Sequence, residues 1–317
     1  MASRAVLAGG LALGWLADQV LGDPRRRHPV AGFGTAAAAL EDRIYADGIS
    51  RGVWFTTIMV GSTAAVGCAI QRLVRDRPVL GVLTTATATW AVLGGRSLLK
   101  ESEAIASTLG SHDLHEARAR IAHLVSRDPA SLDEPGIARA ALESVAENTS
   151  DAVVAPLVWG AVAGIPGLLA YRAVNTLDAM VGYRSRRYCR FGWASARLDD
   201  IANLIPARLT ALLTVAAAPL VSGSAGDGLR AIREHSGRHP SPNGGRIEAA
   251  FAGVLGLRFG GRNTYDGVEE DRGELGFGRP PRPGDLARAN RLASAVSVAS
   301  LAVSIGVSAL LRRVGTR

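Results

Sequence analysis

From Gly52 to Ile70 the chain carries no charged residue, and from Val79 to Gly95 it again carries none. A helix rises about 1.5 Å per residue and the bilayer core is roughly 30 Å thick, so the first run is long enough to span and the second falls slightly short. Lipid offers nothing to hydrogen-bond a bare backbone, which leaves helices or closed barrels, and uninterrupted apolar runs select helices. Arg72, Arg75 and Arg77 mark a turn between the two runs, so the pair reads as a helical hairpin. Thr84, Thr85, Thr87 and Thr89 are expected to return their hydroxyls to the helix backbone and pack closely. Ala5–Leu21 is a third run. It has the look of a signal peptide, but it contains Asp18 and leads straight into GDPRRRHPVAGFG, which favours a retained first helix. Further apolar runs cover Ile201–Val221 and Arg291–Leu311. The expected fold class is all-α: a polytopic helical membrane protein, one integral-membrane domain over 1–317 with polar, mostly helical inserts at 96–151 and 222–290.

The formal charge of +8 is almost wholly arginine, Lys100 being the sole lysine in the sequence. A P-loop needs glycine directly before its lysine and Leu99 stands there, so a Walker-type nucleotide site is excluded. Phosphate, if bound, must be held by arginine forks, backbone amides at helix starts or a divalent ion. The positive excess by itself fits nucleic acid, phosphorylated substrates or anionic lipid equally. Cys68 and Cys189 have no zinc or redox spacing and are expected as free thiols.

The segment from Arg139 to Arg208 alternates membrane-grade apolar runs with acids, amides and arginines. Glu143, Glu147 and Asp151 recur every four residues, with Asn148 beside them, so a helix stacks the carboxylates on one face and a cation is expected opposite. Ala152–Val174 is interrupted by Pro156, Gly164, Pro166 and Gly167, which predicts a broken or re-entrant pair. Counting crossings points the same way: one simple crossing here places Asp151 and Asn175 on opposite sides. Beyond it lie Asn175, Asp178, Arg184, Arg186, Arg187 and Arg190, then Arg197, Asp199, Asp200 and Asn203. The Asp199–Asp200 pair reads equally as Mg²⁺ ligands, since that ion takes one or two carboxylates plus phosphate oxygens, or as helix acids partnering Arg197 and Arg208. For the block as a whole the bland alternative is a polar seam between helices, but buried charge in a membrane tends to mark substrate paths.

Two proline-rich loops complete the candidates. Arg25, Arg26 and Arg27 precede His28-Pro29, as a basic loop or a positive-inside anchor. His239-Pro240, Ser241-Pro242 and Asn243-Gly244-Gly245 make a turn ahead of an expected helix Arg246–Gly256, whose free amides and Arg246 suit a phosphate. Leu257–Tyr265 reads as a small hairpin. His112, His115 and His123 sit among polar residues and read as a solvated helix face rather than a zinc site.

GDPRRRHPV, ALESVAENTSDAVVAPLVWG, AYRAVNTLDAMVGYRSRRYCRFGWASARLDDIANLIPARLT and HPSPNGGRIEAAFAGVLGLRFGG, in this order over nearly the whole chain, resemble the CobD/CbiB family, the adenosylcobinamide-phosphate synthases of cobalamin biosynthesis. The resemblance implies a multi-pass protein of the inner or plasma membrane that joins aminopropanol, commonly as its phosphate, to the propionate carboxylate of adenosylcobyric acid. ATP and Mg²⁺ are the expected activating pair, the corrinoid is substrate, and the lipid bilayer and other corrinoid-pathway enzymes, but no nucleic acid, are the expected partners. The site residues rest on chemistry. Glu147, Asp151, Asp199 and Asp200 are candidates to hold Mg²⁺, and Arg184, Arg186, Arg187, Arg197, Asn203, Asn243 and Arg246 to bind substrate or phosphate. His28, His239, Glu143, Asn148, Asn175 and Asp178 are the catalytic candidates, a histidine deprotonating the amine. The competing classes are a transporter of a corrinoid or other anionic solute and a non-catalytic membrane scaffold.

Overall fold

The computed structural model describes residues 4–24, 28–125, 128–183, 185–265 and 268–314. In chain order the helices begin α1 (Arg4–Leu21), α2 (Pro29–Ile44), α3 (Ile49–Leu73), α4 (Pro78–Val92), α5 (Gly95–Gly110), α6 (Leu114–Ile121) and α7 (Glu134–Thr149), the last running into a π-helical turn, Ser150–Val154. They continue with α8 (Ala155–Ala163), α9 (Ile165–Val181), α10 (Tyr188–Phe191), α11 (Trp193–Ala202), α12 (Leu204–Ala216), α13 (Ala225–His235) and α14 (Gly244–Leu255). A hairpin of β1 (Phe259–Tyr265) and β2 (Val268–Leu275) precedes α15 (Asp285–Val314). The chain is a helical membrane protein: Ile49–Leu73, Pro78–Gly110 and Asp285–Leu310 are long and apolar enough to cross a bilayer. Ile201–Val221 is not one helix. It breaks after Ala202, and α12 is too short to span.

By contact the chain divides into two compact units, one of residues 1–96, 151–204 and 300–317, the other of residues 97–150 and 205–299. The two polar inserts thus belong to a single unit, together with α12 and the first half of α15.

In the first unit α1 and α4 run parallel. Val6 meets Gly81, Gly10 meets Thr85 and Gly14 meets Thr89, a small-residue seam repeating every four residues. A Cβ on Gly10 or Gly14 would stand 2.4 Å from the facing threonine Cβ, so the backbones touch because these positions are glycine. Thr84, Thr87 and Thr89 bond the carbonyls of Leu80, Leu83 and Thr85 at 2.7, 2.9 and 2.8 Å, as expected of threonines inside an apolar helix. At the far end Trp90 Nε1 donates to the Gly22 carbonyl at 2.9 Å, and Asp18, fully buried, accepts from the Arg96 amide at 3.3 Å, capping the start of α5.

The interrupted run is a helical hairpin. At Gly164 the chain turns with φ +71°, ψ −147°, a region open essentially to glycine alone, and Ile165 N donates to Gln71 Oε1 at 3.0 Å. Arg4 Nη1 holds the end of α8 at the Ala161 carbonyl, 3.0 Å, and Gly67 of α3 lies against Pro166. The opposite ends of the hairpin meet other elements: Gly94 N bonds Ala152 O at 3.2 Å, and Gly192 abuts Val181 O. α8 and α9 therefore run out and back, as the crossing count required. Phe55, Phe191, Leu177 and Val181 fill one core under α2, and Leu7, Leu11, Leu157 and Leu168 another.

The second unit packs α5–α7 and α12–α14 around Ile137, Leu142, Phe251, Phe259, Leu275 and Leu292. Asp128 and Asp133 cap the turns that follow them, accepting from Ala130 N and Gly136 N at 2.9 and 2.8 Å. α15 starts at buried Asp285, which Arg279 grips with two 2.8 Å bonds. The expected Leu257–Tyr265 hairpin is corrected: that stretch supplies only the first strand, and the pairing continues to Leu275. Gly260 and Gly261, at φ +75° and +79°, form the irregularity where the register shifts. His112 and His123 pair at the surface with Glu134 and Glu101, 3.1 and 3.7 Å, consistent with a solvated face, and both cysteines are free thiols.

Candidate functional site

Each unit gathers its own polar cluster. In the first, the hairpin brings Asp151, in the π-helical turn, back beside α9. Asn175 Nδ2 donates to Asp151 Oδ2 at 3.2 Å, and Arg172 Nη1 donates to Asn175 Oδ1 at 3.4 Å. One residue earlier on α9, buried Tyr171 donates its hydroxyl to Asn203 Oδ1 at 2.9 Å, and Asn203 Nδ2 donates to Asp199 Oδ2 at 3.0 Å. The charges of Asp151 and Asp199 both reach Tyr171, and those of Asp23 and Asp151 both reach Arg172. Asp23 lies in turn against Gly94, whose amide bonds the residue after Asp151. Five stretches remote in sequence thus meet at one end of this unit. π-helical turns such as the one bearing Asp151 occur frequently at functional sites.

The neighbouring candidates have local partners. Arg187, expected to clamp phosphate, instead closes on Glu41 at 2.8 Å and lies 4.2 Å over the Tyr45 ring, while Tyr188 donates to the same carboxylate at 3.0 Å. Its charge thus has a local partner in Glu41. Arg197 and Asp200 pair with each other at 3.5 Å along α11, the bland alternative for that part of the block. Arg186 is exposed, and Asp178 lies against Gly182, where any Cβ would collide with its carboxylate. Arg184 and Arg25–Arg27 lie outside the described residues. His28 caps α2, its Nδ1 accepting from Val30 N at 3.1 Å.

In the second unit the acid stripe resolves into separate roles. Glu143, buried, accepts from Gly260 N at 2.7 Å and faces Arg139 at 3.9 Å, so its cation is local and its task is to pin the hairpin's first bend. Arg139 also donates to the Gly260 carbonyl. Glu147 is exposed, beside the Gly244 turn, and Asn148 donates to Ser144 O at 3.0 Å. The phosphate cradle expected at Asn243–Arg246 is corrected. Gly244 N bonds Ser241 Oγ at 3.0 Å, Gly245 N bonds Ser241 O at 3.3 Å and Arg246 N bonds Asn243 O at 3.1 Å, so the amides are engaged within the turn itself. Arg246 is half-buried and Asn243 buried.

His239 is buried in the same turn. Its Nδ1 accepts from Ser241 N at 3.0 Å while Nε2 faces Glu248 at 3.5 Å, which places the proton on Nε2. Burial first, and the Arg272 charge second, push its pKa down to about 4, against the opposing pull of Glu143. The imidazole is neutral near pH 7, but its one lone pair is already in use, so it acts as a clip for the turn rather than a poised base.

Among the described residues no three His, Cys, Asp or Glu side chains group as a metal cage. A Mg²⁺ arriving with phosphate needs fewer, and the Asp151 and Asp199 carboxylates, each held by one asparagine N–H, suit that donor chemistry. Three members of the cluster escaped the sequence reading: Asp23, Tyr171 and Arg172. The signal was present, since Tyr171-Arg172 is a polar intrusion into an otherwise apolar run, but which helix face it occupies is settled by the turn at Gly164.

A family model described as CobD/Cbib protein matches residues 11–293. The cobalamin biosynthesis protein CobD of Mycobacterium tuberculosis is 50% identical over 299 residues, covering 94% of this chain and 95% of that protein. The proteins of the same name from Geobacter metallireducens and Rhodobacter capsulatus are 48% and 43% identical, covering 80% and 95% of this chain and 81% and 94% of their own. No solved structure matches. A helical membrane protein with this length of shared sequence belongs to the CobD/CbiB family of cobalamin biosynthesis proteins.

Proposed function

We propose that the chain is an ATP-dependent amide-forming ligase of the cell membrane, joining 1-aminopropan-2-ol or its phosphate to the propionate carboxylate of adenosylcobyric acid. The observation that carries this reading, beside family membership, is the cluster of Asp151, Asn175, Arg172, Tyr171, Asn203 and Asp199 at one end of the first unit. Carboxylates held by amides within an apolar helix pair are costly unless they serve a ligand.

A carboxylate becomes an acyl donor once phosphorylated. Its oxygen attacks the γ-phosphorus of ATP, ADP departs, the amine attacks the acyl carbon, and phosphate leaves with the amine's proton. Asp151 and Asp199 would hold Mg²⁺, which when bound neutralises phosphate charge. Asn175 and Asn203 fix the orientation of these two carboxylates, and the apolar walls of α8 and α9 limit water, the competing nucleophile for the activated acid. The amine attacks as the free base, its ammonium proton passing first to solvent or to a histidine such as His28, and the departing phosphate takes the second proton. The test is reconstitution: purified chain with adenosylcobyric acid, the amine or its phosphate, ATP and Mg²⁺ yields the amide by mass spectrometry. Corrinoid flux across vesicles without any product would overturn the reading in favour of transport.

A further inference from the structure

We infer that Arg172 is the group that receives the reacting carboxylate of the acid substrate. This assignment deepens the ligase reading and rests on it. Arg172 is half-buried on α9, a helix that packs against membrane-length α3. Its Nε is shielded from solvent and meets no acceptor, and its one hydrogen bond among the described residues is the 3.4 Å contact to Asn175. Arg120, Arg139 and Arg272 also bury an Nε without an acceptor, but each has a carboxylate oxygen near it, at 3.0, 3.9 and 3.8 Å, and among the described residues Arg172 has none. Arg187 closes on Glu41 at 2.8 Å and Arg279 takes both oxygens of Asp285 at 2.8 Å.

Arg172 is not short of acids nearby. Asp23 and Asp151 both act on it electrostatically, but no ion pair joins either of them to it among the described residues, and Asn175 ties its guanidinium to the Asp151 carboxylate indirectly. A guanidinium kept from water in apolar surroundings is completed by a planar or tetrahedral oxyanion, and a carboxylate matches its geometry with two parallel bonds. In the proposed reaction the phosphates go to the Mg²⁺ that Asp151 and Asp199 would hold, which leaves the carboxylate of the acid as the oxyanion for Arg172.

The test uses the full-length chain in nanodiscs, with equilibrium binding of the corrinoid acid and of the same corrinoid bearing a primary amide at that position. The wild type should prefer the acid by about ten- to a hundredfold, the range expected for a charge-assisted pair. Arg172→Gln should bind both equally, and Arg172→Lys should keep part of the preference, reading out the role should the glutamine variant fold poorly. A wild type indifferent to the carboxylate, or a folded Arg172→Gln that retains the preference, overturns the assignment. So does a rise confined to the KM for ATP, which would make Arg172 a phosphate ligand. Turnover measured in parallel separates the two ideas: amide formation with preference intact in the variant sinks this inference alone, and preference lost in a chain that forms no amide sinks the ligase reading alone.

Discussion

Asn175 and Asn203 each hand one N–H to an aspartate, and Asn203 is itself held by the Tyr171 hydroxyl. Such a relay fixes where carboxylate oxygens point without neutralising them, which is what a ligand for a metal–phosphate requires. Asp151→Asn and Asp199→Asn should therefore each lower amide formation by about 10²–10³-fold, the loss typical of removing one preorganised electrostatic group, with membrane insertion unchanged. Turnover of the purified variants near the wild-type rate would remove both from the site. His239 carries a different prediction. Its folded pKa of about 4 lies below the unfolded value of 6.5, so between these pH values the unfolded chain binds the extra proton and stability falls as pH falls. On the order of 3 kcal/mol is at stake across that window, fully present above pH 6.5. Thermal melts from pH 7 to 4 should show the decline, and His239→Asn should flatten it.

At the scale of elements, two glycine positions decide the first unit. Gly164 holds the turn between α8 and α9 in a conformation other residues avoid, with Gln71 Oε1 only 2.2 Å from where a Cβ would sit. Gly164→Ala should cost about 1–3 kcal/mol from backbone strain, more if Gln71 is displaced, and reduce activity because it shifts Asn175 relative to Asp151. Gly14→Leu, on the α1–α4 seam, should lower the thermal midpoint through overpacking by about 1–3 kcal/mol or more, whereas Gly61→Leu on α3, whose Cβ meets nothing, should not. Comparable midpoints for the two leucine variants would mean that the seam is not tightly packed.

Over the whole first unit, the two ends of α3 differ in charge. Arg4, Arg72, Arg75 and Arg77 lie at its C-terminal end, while Arg43, Arg51, Arg96, Arg187, Arg190 and Arg197 lie on stretches that meet at the other. By the positive-inside rule we propose that the Asp151–Asp199 cluster faces the cytoplasm, where ATP is available. Exposed Cys189, next to the segment on which Gly52 packs, should be shielded from a membrane-impermeant maleimide in intact cells, and Arg75→Cys should be labelled. The reverse pattern would invert the assigned orientation.

Apolar length and its interruptions were enough to determine that the chain is helical, that it enters a membrane, and that Ala152–Val174 cannot be one plain crossing. Hydrophobic runs and Pro-Gly punctuation are local properties, so they are written in the order of residues. The identity of the Asp151–Asn175 and Asp199–Asn203 pairs was half legible, since acids and amides in apolar surroundings stand out by composition. What only the tertiary structure decided is which charges are already answered: Arg187 by Glu41, Glu143 by Gly260 and Arg139, the Gly244 turn by Ser241. For Arg187 and Glu143 the answering groups Glu41 and Gly260 lie 146 and 117 residues away, a distance no local pattern carries, while Arg139 and Ser241 answer from within a turn or so of chain. Likewise Arg172, unremarkable in sequence, joins Asn175 and Asp151 only because the turn at Gly164 folds α9 back along α8.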